Sequence, residues 1–270
     1  RTHAFPRYAS TLFLPGVHRR PMLAIYAFNV EIVRVRDQVS QPLPGEVRLQ
    51  WWSDLLAGRD HGGVEGNPVA AELTWAIRTW RLPVDRLTRL IVEHEFDLYN
   101  DPMPSLSALE GYANDTDSAL FACCARILVR PSQAIDHVSR HAGLAYGMID
   151  VINRLPQDTA RRQLFLPQQF LQQHGSSVEE VFAGKQTPQA RAAVDQLVGE
   201  ASKHLKTALS LLAEVPQEAR PAFLPLALVR RDIKRLERRD TDPFALRRMP
   251  RFRMLWALWR ASRSKEFRGE

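Results

Sequence analysis

The chain has 270 residues, with 37 basic and 30 acidic side chains and a formal net charge of +7. Apolar residues make up 45% and charged residues 25%, which excludes a mostly disordered or collagen-like chain. The two cysteines, Cys123 and Cys124, are neighbours; this excludes a disulfide framework and metal-type cysteine spacing, and fits core thiols in a reducing compartment.

The pattern along the chain is helical. Pro21 is expected to open a helix running through Met22–Phe28 to about Asp37. Pro42 and Pro44 break the chain before a helix carrying Val47, Trp51, Trp52 and Leu55, which Gly58 ends. Pro68 and Pro83 each start another. A long helical stretch over about 107–128 carries a capping-box signal, Ser107 with Glu110. After Pro131 the periodicity resumes through Val138, Ala142, Ala145 and Ile149 to about Arg154, and Pro156 to Gln163 reads as loop. Ser176 with Glu179 suggests a short helix. A long helix follows over about 189–215, and the last two fall near 225–239 and 251–261. Sustained strand alternation is absent. The expected fold class is all-α: a bundle of about ten helices, with residues 1–240 as its body and 241–270 as a basic aromatic tail packed on the same domain.

The charge is unevenly placed. Residues 230–270 hold 14 basic and 6 acidic side chains, a net +8, so the rest of the chain is close to neutral. Such an end suits anionic lipid or an acidic partner. Nucleic acid is not expected, because no helix-turn-helix, RNA-recognition or zinc spacing accompanies the charge. Within the tail, Phe252, Leu255, Trp256 and Trp259 fall at helical spacing, flanked by Arg251 and Arg260. That pattern fits either a helix docked on its own domain or an interfacial anchor or partner surface. The apolar runs Met22–Phe28 and Ala119–Ala125 are seven residues each, against the roughly 20 needed to cross a bilayer. Phosphate-loop, dinucleotide, HExxH and GxSxG motifs are missing. His137 with His141 is a helical i,i+4 pair that can ligate a metal, although ordinary helix residues are the plainer reading.

Two segments carry a specific signal. The first runs Tyr26-Ala27-Phe28-Asn29-Val30-Glu31-Ile32-Val33-Arg34-Val35-Arg36-Asp37. The second runs from Gly143 through Asp150, Asn153, Arg154 and Asp158 to Arg161-Arg162-Gln163-Leu164-Phe165-Leu166-Pro167. They resemble the two active-site helices of the squalene/phytoene synthase family, and the likeness extends from about Leu12 to Arg239. The resemblance implies an isoprenoid-synthase-like helical bundle around a central cavity. Synthases of that family join two prenyl diphosphates head to head. Carboxylates four apart share a helix face, and two such faces hold magnesium on the diphosphate leaving group.

Against that motif, the paired acids of the first segment fall on Val33 and Arg34, and only Asp37 is kept. In the second, Asn153 and Arg154 stand where the family has Arg-Asp, Gln157 and Asp158 where it has Glu-Asp, and Arg162 and Gln163 where it has Gly-Arg. The Phe-Asn-Val-Glu run and the arginine-rich loop before Phe165-Leu166-Pro167 resemble a non-synthase branch of the family that acts in respiratory complex I (NADH dehydrogenase) assembly. The resemblance therefore implies a non-catalytic chain with no cofactor or metal. Its partners would be complex I subunits or other assembly factors, on the matrix side of the mitochondrial inner membrane or peripherally at a bacterial one. Two alternatives stay open. One is a magnesium-dependent prenyl transferase working through Asp37, Asp158 and Asp150. The other is a metal-free cavity that binds a phosphorylated or isoprenoid lipid through Tyr26, Asn29, Arg34, Asp37, Asp150, Arg154, Asp158, Arg161 and Arg162. The plainest role for these arginines is pairing with Asp37, Asp150 and Asp158.

Overall fold

The computed structural model describes residues 5–59, 66–238, 240–245 and 249–268. Among them every regular element is helical. Helix α1 (Phe5–Thr11) precedes the first expected helix. Helix α2 (Gly16–Arg34) starts before Pro21, which lies inside it instead of opening it. The proline forgoes one intrahelical bond near the helix start, where Val17 is exposed and its carbonyl can turn to water. Helices α3 (Pro42–Leu56), α4 (Pro68–Trp80) and α5 (Val84–Glu93) follow. Asn67 caps α4 by accepting from the amides of Val69 and Ala70.

Helix α6 (Leu106–Ala113) is capped by Ser105, which accepts from the Ala108 amide; the expected Ser107 cap is two residues late. A π-helical turn, Asn114–Ser118, joins α6 to α7 (Ala119–Leu128). Helix α8 (Gln133–Ala160) runs straight through Pro156, where a loop was expected. It spans about 42 Å at 1.5 Å per residue. Short helices α9 (Gln168–Gln173) and α10 (Val178–Phe182) lead to α11 (Pro188–Leu211), α12 (Leu226–Leu236) and α13 (Arg251–Ser262).

Helix α8 is the axis of the bundle. Its buried residues Ile135, Val138, Ala142, Ala145, Ile149 and Ile152 alternate in steps of three and four. The helix packs most extensively on α11, and it also meets α7 and α12. Gly143 and Gly147 let α8 press against the π turn. A β-carbon on Gly143 would lie 2.2 Å from the Ser118 backbone nitrogen, and one on Gly147 would lie 2.7 Å from an Asp117 carboxylate oxygen. The extra residue of the π turn thus carries Asp117 and Ser118 onto the central helix. Both cysteines are buried in α7, where burial pushes the Cys123 thiol well up and Cys124 to about 11. They are inert core thiols.

Candidate functional site

Helices α2 and α8 present the two segments singled out in the sequence. On α8, Asp150, Arg154 and Asp158 occupy successive turns of one face. The Arg154 Nε lies 3.4 Å from Asp150 and 3.6 Å from Asp158, so one guanidinium sits between two carboxylates. Its far side lies 5.5 Å from the centre of the Phe165 ring. Asp158 is mostly covered. Burial pushes its carboxyl up to about 6, against the pull of Arg154, while the negative charge of Asp150 adds to the rise. At the end of α2, Asp37 sits in a short 3-10 turn and pairs with Arg161 from beyond α8. Arg36, Asp37, Val39 and Arg161 line an open cavity of about 280 Å³. The network expected as the plainest role of the arginines is therefore present at Arg154 and Arg161.

Arg34 and Arg162 do not join it through any ion pair among the described residues. Arg34 is exposed in the last turn of α2, where its charge complements the helix C-terminus. Arg162 leans over the Phe182 ring of α10, 5.0 Å from its centre. Its backbone has φ 56° and closes the C-terminus of α8, with the Arg162 amide bonded to the Thr159 carbonyl and the Gln163 amide to the Asp158 carbonyl. This is the position at which the family motif places a glycine, and the left-handed conformation explains that preference.

Deeper between α2 and α8 lies a buried ion pair that no motif marks. Arg7 of α1 is 6% exposed and pairs with Asp117 of the π turn. Its guanidinium lies 4.5 Å from the Tyr146 ring centre and 5.9 Å from that of Tyr26. Tyr26, expected as a ligand contact, is buried beside this arginine, and burial raises its phenol well above the usual range. Burial likewise raises the Asp117 carboxyl, opposed by Arg7. One signal was available. Arg7 is the sole Asp, Glu, Lys or Arg between Arg1 and Arg19, and a lone charge in an apolar stretch calls for a buried partner.

Two further polar groups flank α8. Tyr112 donates to Asp97 at 2.9 Å, and the Asp97 carboxylate meets His94 Nδ1 at 2.7 Å; all three are buried. Asn153 donates to Asp232 at 3.1 Å and accepts from Arg235 at 2.7 Å, fastening α8 to α12. His141 faces His204 of α11 at 2.9 Å, and no group of three His, Cys, Asp or Glu able to hold a metal occurs among the described residues. Asn29 is half-buried on α2.

In the tail, Leu258 and Ala261 bury α13 against the bundle. Leu255, expected on the outer surface, is half-buried and packs on the core with Met254. It lies three residues before Leu258, on the same docked face. Phe252, Trp256 and Trp259 point outward.

The chain is similar to known proteins in sequence and in fold. It is 33% identical over 244 residues to the NADH dehydrogenase (ubiquinone) complex I, assembly factor 6 of Rattus norvegicus, covering 90% of this chain and 73% of that one. A dehydrosqualene synthase crystallised with ligand superposes with a TM-score of 0.78 at 14% identity, covering 94% of this chain and 89% of the other. The squalene synthase HpnC from Alicyclobacillus acidocaldarius superposes with a TM-score of 0.73 at 19% identity, covering 84% and 85%. These likenesses establish the isoprenoid-synthase helical fold. The profile described as squalene/phytoene synthase matches residues 1–260, and the chain belongs to that family.

Proposed function

We propose that this chain assists the assembly of respiratory complex I and does not join prenyl diphosphates. The assembly half of the reading rests on the rat relative and its human counterpart, 31% identical over 244 residues, whose names state that role. The non-catalytic half rests on one observation: Arg154 stands between Asp150 and Asp158, where a magnesium-binding face would need uncompensated acid. A guanidinium supplies the positive charge that a metal would bring, in a fixed place. Asp37 is engaged in the same way by Arg161. These donors do not fit a magnesium-diphosphate cluster, so no ionisation step is derived through one. The working surfaces would be the mouth of the bundle near Asp37 and the basic tail, and the partners would be complex I subunits or other assembly factors at the inner membrane.

Deletion of the gene in its source organism tests both halves. Blue-native gels should show loss of assembled complex I, while squalene and carotenoid profiles stay unchanged. A copy carrying Asp158→Asn should restore assembly, because the reading gives that acid no metal to hold. Altered polyprenoids with intact complex I would overturn it in favour of the prenyl transferase.

A further inference from the structure

Helix α13 docks by one face and leaves another open. Phe252, Trp256 and Trp259 follow one another at spacings of four and three, and are 67%, 57% and 43% exposed. An arginine lies against each ring. Arg253 is 5.8 Å from the centre of Phe252, Arg260 is 5.8 Å from Trp256, and Arg263 is 4.3 Å from Trp259. None of these arginines pairs with a carboxylate among the described residues. The nearby acid, Glu266, is taken by Arg230 of α12 at 2.9 Å.

Helix α1 extends this surface. At the start of both helices, Arg251 lies 4.9 Å over the Phe5 ring. At their far ends, Leu12 shares a cavity of about 430 Å³ with Ser262 and Phe267. The two helices therefore run side by side in the same direction. Helix α1 adds Tyr8, and Leu12 follows its last residue; both are exposed.

We propose that the outward faces of α13 and α1 form a peripheral docking surface for an anionic lipid bilayer. This deepens the reading of the basic tail as a working surface and rests on that reading for nothing but the tail's part in it. Three observations select lipid over another occupant. The aromatic stripe is too exposed to be explained by packing on its own domain. Its charge is of one sign and unneutralised, which complements anionic headgroups. Tryptophan interleaved with arginine places an amphipathic ring at headgroup depth and keeps the cation in water. No helix among the described residues is long and apolar enough to cross a membrane, so the contact would be made in the plane of the interface.

The test is co-sedimentation of the full chain with vesicles of phosphatidylcholine containing about one-third phosphatidylglycerol, beside vesicles of phosphatidylcholine alone. The chain should bind the anionic vesicles, with a blue shift in tryptophan emission, and release in high salt. Trp256→Ala with Trp259→Ala should weaken partitioning by about tenfold or more, and Arg260→Gln with Arg263→Gln by a similar factor at low salt. All four side chains are exposed, so urea midpoints should stay put. No binding by the wild type, or equal binding by the tryptophan variant, would overturn the proposal. So would a wild-type dimer in light scattering that becomes monomeric in that variant, which would make the stripe a contact between copies of the chain. Complex I gels enter none of these outcomes, so failure here leaves the assembly reading standing, and the reverse.

Discussion

Arg7 and Arg260 carry the same charge under opposite conditions. Arg7 lies between α1, α2 and α8, covered by Tyr26 and Tyr146 and paired with Asp117. Arg260 lies on α13 in water, against a tryptophan, with no acid beside it among the described residues. In the interior, Arg7 and Arg154 each lie within ion-pair distance of acids, and α13 leaves its arginines open among the described residues. Interior arginine pairs with acids, Arg7 with one from another element and Arg154 with two on its own helix, and makes that region a joint. On the tail, arginine lies open to water beside exposed aromatic rings. The two regions should therefore answer to mutation on different scales.

The largest effect is expected inside. Arg7→Ala leaves the Asp117 carboxylate buried without its partner, and should cost about 3–5 kcal/mol in urea unfolding. Adding Asp117→Asn should recover part of that loss, since the stranded charge is then gone. Arg260→Ala should change stability by less than about 0.5 kcal/mol. Equal effects at the two sites would break the contrast.

Much of this contrast could be read from the amino-acid order, and the part that could not has a common cause. Helix periodicity and proline placement locate most helices because those signals are local. The alternation along α8 even marks its buried stripe. Pro156 misleads because tertiary packing of Leu155 before it and the local Arg154–Asp158 pair across it carry α8 past it. Asp37 and Asp158 are legible as survivors of a motif, and Arg154 as its intruder. The Arg7–Asp117 pair spans 110 positions of sequence, and the π turn that aims Asp117 leaves no periodic mark. Similarly, the sequence could mark Leu255 as apolar, but only the docking of α13 shows which face it shares.

The intermediate effect concerns Asp158 and its pH dependence. Its folded-state pKa is raised from 3.8 to about 6, so the folded chain binds this proton more tightly than the unfolded one. The associated stabilisation is complete below about pH 4 and is lost as pH rises through about 6. Asp158→Asn removes that loss. The variant should match wild type near pH 4 and exceed it by about 1–2 kcal/mol at pH 7.5, a figure reduced from the full two-unit shift because Arg154 loses one of its two acids. Urea midpoints measured across this range decide it. A variant less stable than wild type at pH 7.5 would mean that Asp158 contributes more as a partner for Arg154 than it costs as a buried charge.

The smallest effect bears most directly on the reading of the site. Arg161 and Asp37 are 55% and 31% exposed in their side chains, so their pair is largely screened by water. Arg161→Ala should alter stability by no more than about 1 kcal/mol. The informative measurement is the melting temperature with magnesium and inorganic pyrophosphate present. Freeing Asp37 supplies one carboxylate at the end of α2, while Arg154 still stands between the two acids of α8. A site so compensated should give no ligand-dependent rise, in the variant or in the wild type. A rise confined to the variant would mean that Arg161 alone holds the metal off, with the acids of α8 still poised to bind, and the prenyl transferase would again be the better account of this chain.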